Sequence, residues 1–346
     1  MKEARLTKRA SVALDNYVVD CVWSSDSAAV AIAGGEGAVL LVTDACANPE
    51  VRTLGRHARG ALAVAWQAGN GTIASSGQDG TVMLWDAACA VPPKVLNSSN
   101  TWTEHLAYAA DGKLAAASGR TLTLWNRAGD RIGELTSHAS TIAALSWDAA
   151  GRQLAAATHR AMWVHQIGPP AFASRAYKVE SACLTAAFSP SGRVLAAGMQ
   201  DGAVHVWYRG TERDSHMRGY AARVALTCWS GNSRQLATSS GSQVVVWDFG
   251  GKGPEGSRPL ELSAHTDRID CLAYQSGGSW LVSGGRDWRV ALWLPGKAER
   301  PVDIQVTASE VSTLRWSPDG RFLAVGERGG ALSIYELATN SASPTR

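Results

Sequence analysis

Histidine, serine and aspartate recur at one spacing in this chain: His57, Ser75 and Asp79, then His265, Ser283 and Asp287, each set followed by a tryptophan, Trp85 or Trp293. These are the residue types of nucleophilic acyl transfer, where histidine takes the serine proton and a carboxylate orients the imidazole. That chemistry also needs an exposed nucleophile beside a substrate pocket and donors for an oxyanion, and the surrounding pattern supplies neither. A third set is incomplete. His138 stands where the quartets have histidine and His159 where they have aspartate, so two imidazoles are expected to meet at a rim. Zinc commonly takes three or four protein ligands, and Cys183 is the one obvious third candidate, so a degenerate quartet competes with a metal site there. No catalytic residue, metal or cofactor is expected. The six cysteines show no CxxC spacing and sit mostly in expected strands, as packed thiols rather than a disulfide framework.

The elements that position these residues follow from the tryptophans. Trp23, Trp66, Trp147, Trp229 and Trp316 form one series, and Trp85, Trp125, Trp207, Trp247 and Trp293 another, with a period of about 40 residues that marks a stacked repeat. Tyr108, Phe188 and Tyr274 complete the first series; Val42, His165 and Tyr335 complete the second, so both count eight units. Within a unit, short β-branched and apolar runs alternate with Gly/Asp turns, as in TLRWSPDG, RFLAVG, ERGG and ALSIY from Thr313 to Tyr335. That pattern is an antiparallel meander. A further strand follows the unit in VRTL, RIGEL and PVDIQV, making four strands in all.

TVMLWD (81–86), QVVVWD (243–248), TLTLWN (121–126) and AVHVW (203–207) carry a resemblance to the WD-repeat family that covers nearly the whole chain. The resemblance implies an all-β propeller of eight four-stranded blades, with seven as the alternative if the degenerate unit one or four drops out. It also implies that His57, Ser75, Asp79 and Trp85, and His265, Ser283, Asp287 and Trp293, are two structural hydrogen-bond tetrads. Chaining indole, hydroxyl, imidazole and carboxylate satisfies four polar groups that burial would otherwise orphan. In unit five Asp201 keeps its place but Val179 replaces the histidine, so that unit should be looser.

One propeller is expected over 1–346, with blades at about 17–54, 61–97, 103–135, 142–178, 183–218, 224–262, 269–306 and 311–336, and a polar tail at 337–346. The last unit lacks its fourth strand, and residues 5–14 alternate well enough to supply it; pairing the two ends removes two exposed sheet edges.

The loops before each first strand and the turns between second and third strands should crowd one face. One ring of positions is Tyr17, Gly60, Trp102, Thr141, Ala182, Arg223, Arg268 and Glu310; the other is Gly35, Gln78, Ser118, Thr158, Gln200, Ser240, Arg286 and Arg328. Aromatic and arginine side chains dominate protein interfaces, which makes Trp102, Arg223, Arg268, Arg286, Trp288 and Arg328 the candidate contact set. Trp288 folding over its own blade is the competing reading. Trp163 reads as packing between blades, and Trp280 as a smaller contact on the opposite face.

Formal net charge is +3 and the sequence pI about 8.5, too balanced to point to nucleic acid or a membrane surface. There is no apolar run of spanning length and no signal-like segment at the N-terminus, which makes a cytoplasmic location the default. The function expected is a non-catalytic scaffold that docks one or more proteins within a larger complex. A nucleic-acid-associated propeller and a metal-handling accessory protein with a rim histidine site are the alternatives. First-strand residues facing the channel are expected to be mainly Ala, Val, Cys and Leu.

Overall fold

The computed structural model describes residues 4–136, 138–168, 173–251 and 253–339. Its strands assemble into eight antiparallel sheets, one per repeat. Blade two shows the plan: Ala61–Trp66, Thr72–Gly77, Thr81–Asp86 and Lys94–Ser98 pair in sequence order, from the innermost strand outward. Neighbouring inner strands touch from blade to blade, and Val18–Trp23 of blade one contacts Val311–Trp316 of blade eight, so the ring is closed. Among the described residues there is no helix.

The middle strands explain why the repeats stack. Val30–Gly34, Leu114–Ser118, Val194–Gly198 and Leu281–Gly285 are buried at every position, since both faces lie against a neighbouring blade. One inter-blade cluster joins Ala31, Ala33, Val39 and Leu41 of blade one to Ala61, Val64, Ile73 and Trp85 of blade two. Burying each large side chain of this kind contributes about 1.5–3 kcal/mol. Outer strands instead mix exposed and half-buried positions, as in Arg131–Leu135.

Blade eight is built from both ends of the described chain. Ala4–Ala13 is its outermost strand and pairs antiparallel with Ala331–Thr339, from Ala4 opposite Thr339 to Ala13 opposite Ala331. The eighth unit therefore does not end at Tyr335 or 336: Leu337, Ala338 and Thr339 pair with Leu6, Arg5 and Ala4. Backbone pairing is indifferent to the polar character of that segment, which is why side-chain pattern alone reads it as tail. The rest of the expected tail, 340–346, lies outside the described residues.

Blade four has a short hairpin, as blade three does where Ser118 pairs with Thr121. The second and third strands of blade four run together as Gln153–Gln166, folding back at Arg160, whose φ is 63°. Ile167 N–H donates to the Arg152 carbonyl, closing the two arms as in the other blades. In blade five the inner strand shrinks to Ala187–Phe188, while the outer one, Asp214–Met217, is as short as those of blades six and seven.

Candidate docking face

Both complete quartets form hydrogen-bonded chains. In blade two, Trp85 Nε1–H donates to Ser75 Oγ (2.7 Å), Ser75 Oγ contacts His57 Nε2 (2.8 Å), and His57 Nδ1 meets Asp79 Oδ1 (3.1 Å). Blade seven repeats this with Trp293–Ser283 at 2.8 Å, Ser283–His265 at 2.7 Å and His265–Asp287 at 3.0 Å. The carboxylates also accept backbone N–H groups, from Ala58 and Thr81 to Asp79 and from Thr266 and Arg289 to Asp287. Burial alone would raise the carboxyl pKa values, but these donors and the histidines hold both below the ordinary range. Burial pushes the His57 pKa down, against the pull of Asp79. A serine hydroxyl sequestered between a ring nitrogen and an indole is a strut, and both serines are buried.

Other blades build substitutes. In blade six, Tyr220 stands in for the histidine: Trp247 Nε1–H donates to its hydroxyl (2.6 Å), which also pairs with Thr238 Oγ1 (2.8 Å). A tyrosine in the loop before the strand carried no signal in the histidine-based pattern. In blade four the expected meeting of His138 and His159 does not occur. His138 Nε2 lies 3.0 Å from His165 Nε2, and His165 Nδ1 contacts Ser174 Oγ at 2.7 Å. His159 is exposed, its N–H donating to Ser140 Oγ. The physical reason is vertical: His165 replaces the tryptophan, Ala156 leaves room where the serine would stand, and imidazole reaches imidazole directly. Trp163 stacks parallel to His165 with centroids 6.0 Å apart and packs against the apolar cluster of blades three and four.

The two expected rings of loop positions are joined by a repeated backbone bond. N–H groups of Gly35, Gln78, Gln200, Arg286 and Arg328 donate to carbonyls of Tyr17, Gly60, Ala182, Arg268 and Glu310. On blades seven and eight this ring brings Arg268, Arg286 and Arg328 around the carboxylate of Asp270. Arg286 Nε is 3.2 Å from Asp270 Oδ2, Arg328 Nη2 is 3.7 Å away, and Arg328 Nε also meets Glu310 at 3.1 Å. Asp270 is the extra residue of a bulge between Ile269 and Cys271, and a bulge re-aims the side chain it carries. Arg223 is exposed and shares a cleft of about 290 Å³ between blades six and seven with Arg268 and Asp270. Trp102, 50% exposed, belongs to blade three and stands four blades round the ring.

Trp288 is 49% exposed in the same turn as Arg286. Its φ is 64°, a left-handed conformation held by glycine at the matching turns, with Gly80 at 75°, Gly202 at 74° and Gly330 at 82°. Its N–H donates to Gly285 O and its carbonyl accepts from Thr307 N–H at 2.8 Å. Trp280, expected on the opposite face, is instead 8% exposed and packs with Trp316 and Tyr335 in the core of blades seven and eight. The inner strands are also more polar than expected: Arg315 Nη2 of blade eight reaches Asp20 Oδ1 of blade one at 2.9 Å, and Val64 N–H of blade two donates to Asp20 Oδ2. Both charges stood in the sequence at alternating positions, without any sign that they would meet across the ring's closure.

The sequence matches the profile described as "WD domain, G-beta repeat" at residues 48–86, 176–208, 256–293 and 303–336. It is 31% identical over 124 residues to "THO complex subunit 3" of Arabidopsis thaliana, covering 35% of this chain and 38% of that protein. It is 24% identical over 244 residues to "Intraflagellar transport protein 122 homolog" of Mus musculus, covering 67% of this chain and 20% of the relative. With "Guanine nucleotide-binding protein subunit beta" of Arabidopsis thaliana the identity is 25% over 253 residues, covering 66% and 64%. The matched portion thus spans less than two thirds of each of these relatives. With the tetrads, the eight-bladed ring and four matches to one repeat profile together, the chain belongs to the WD-repeat family of β-propellers.

Proposed function

We propose that the protein is a non-catalytic scaffold that docks a partner protein across blades six to eight, with Trp288 as the anchor and Arg223, Arg268, Arg286 and Arg328 around it. The observation that carries this is the conformation of Trp288. A bulky side chain held at positive φ costs of order 1–3 kcal/mol, and such strain clusters at ligand-binding positions. Glycine serves the same turn elsewhere in this ring, so the fold itself does not ask for tryptophan there. A half-exposed indole beside arginines on a stiff frame has the composition of an interface hot spot, and stiffness limits the ordering cost of binding. The names of two relatives, a THO complex subunit and a G-protein β subunit, describe proteins that are parts of assemblies. Trp102 is a separate contact in this reading, and a cytoplasmic setting remains part of the proposal.

The arginine cluster favours protein over nucleic acid. Asp270 and Glu310 already oppose Arg268, Arg286 and Arg328, leaving little net positive field, whereas nucleic-acid binding draws on unspent cations. The test is affinity capture from source-cell lysate with wild type and a W288A/R286A variant of equal stability, assaying bound protein and nucleic acid. Selective loss of a protein from the variant supports the reading; identical capture by both forms overturns it.

A further inference from the structure

Blade five carries no tetrad: Val179 and Ala197 stand where histidine and serine would be. Its third strand, Val204–Tyr208, pairs with its outer strand, Asp214–Met217, so that His205 faces His216 and Trp207 faces Asp214. Side chains directly opposite and two residues along share one face of a sheet, so His205, Asp214 and His216 converge. His205 Nε2 lies 2.6 Å from Asp214 Oδ2 and His216 Nε2 lies 3.7 Å from the same oxygen. One donor atom from each residue falls within 4.8 Å of the other two.

We propose that His205, Asp214 and His216 bind a divalent transition-metal ion of the Zn²⁺ class, with water in the fourth position. Two imidazoles and a carboxylate are a donor set that such ions take with one position open. Among the described residues Arg213 pairs with Glu255 and Arg175 with Glu212, Lys178 lines the same cleft as Asp214 without an ion pair, and the only ion-pair partners of Asp214 are the two histidines. His216 and Asp214 are about half exposed, which gives the ion a way in, while His205 is buried and stacked on Trp207 at 4.1 Å, which fixes its ring.

Among the described residues no partner at the other ring nitrogen of His205 fixes its tautomer. Its Nδ1 is buried with no hydrogen-bond partner among the described residues. With a single ring proton on Nε2, Nδ1 is an orphaned acceptor; with the proton on Nδ1 it is an orphaned donor. A metal at Nε2 leaves the ring proton on Nδ1 and so adds no new orphan, while it replaces one N–H···O contact by two metal–ligand bonds at the same atoms. The pairing of strands that each end within a few residues makes the site local to one sheet edge, and the ion would tie the four-residue outer strand to the blade.

The experiment uses the untagged full chain, stripped with chelator and dialysed, titrated with ZnCl₂ by calorimetry and with CoCl₂ by visible absorption. Expected are one ion per chain, tetrahedral-type Co²⁺ bands displaced by Zn²⁺, and a higher melting temperature with Zn²⁺. H216A and D214N, both at partly exposed positions, should each weaken binding by about tenfold or more and abolish the thermal shift, with circular dichroism matching wild type. H159A should bind as wild type does. Absence of stoichiometric binding, or affinity unchanged in both H216A and D214N, overturns the proposal.

Discussion

Trp288 and Gly80 occupy the same turn position in blades seven and two, one residue after the tetrad aspartates Asp287 and Asp79, and both are left-handed, with φ of 64° and 75°. The carbonyls do the same work, Trp288 O accepting from Thr307 N–H and Gly80 O from Ser99 N–H. What differs is a large indole on a backbone that prefers none.

That pair gives a separation of stability from binding. W288G should leave unfolding free energy unchanged or raise it by about 1 kcal/mol, because relief of left-handed strain is partly offset by the greater entropy of glycine in the unfolded chain. The same substitution should weaken partner binding by about 2 kcal/mol or more. Urea unfolding and titration against the captured partner measure the two effects; a drop in stability with binding intact would reverse the assignment.

Asp287 should behave in the opposite sense. D287A leaves the His265 Nδ1–H and the Thr266 and Arg289 N–H groups without their acceptor, for a loss of about 2–4 kcal/mol. The urea midpoint should fall while a partner contact through Trp288, measured below the transition, keeps its affinity.

Stability should decline as pH falls below about 6.5. His57, His105, His138 and His205 have pKa values lowered by burial, and His165 is pushed down to about 4 by burial and then by His138. The unfolded chain therefore binds protons that the folded chain refuses, and stabilisation present above the unfolded value is lost as pH drops through the folded one. For His165 alone the shift corresponds to about 3 kcal/mol between pH 6.5 and 4. Asp79 and Asp287, held below the carboxylate range, add a further loss at lower pH. Urea titrations at pH 7 and 5 check the sign, and an H165F variant should show a shallower slope.

The closing strand is the fourth point of attack. Leu6 is 2% exposed in the blade-eight core, and its N–H donates to Asp303 Oδ2 of blade seven. L6D buries a carboxylate among apolar groups and should cost at least about 3 kcal/mol, with aggregation once Ala331–Thr339 becomes a bare edge. Light scattering during thermal unfolding distinguishes this from a simple loss of midpoint.

The blade count and ring closure were legible because tryptophan, glycine and aspartate recur at fixed offsets, and each offset has a local cause: a strand period, a turn, a tetrad. Tyr220 and His165 were not legible as lock residues, since a hydroxyl or a second imidazole can fill the place of a histidine or tryptophan only once the geometry is known. Asp270 carried no sign of its three arginines, because its aim depends on a bulge, and bulges follow from pairing register rather than from residue type. The Asp20–Arg315 contact joins positions far apart in sequence, which no local pattern encodes. Trp280 misled for the converse reason: a tryptophan beside Gly-Ser looks like a loop tip, yet it turns inward between blades.

A circle made of eight similar joints opens at its weakest one. Blade five lacks a tetrad, and among the described residues its inner strand, Ala187–Phe188, is the shortest of the eight. Where stability is a sum of nearest-neighbour terms, the first amides to exchange and the first seam to part are set by the poorest interface rather than by the average. The ring would then become an arc with blades four and six as its ends, keeping the Trp288 face whole on one arm and the double-imidazole lock on the other.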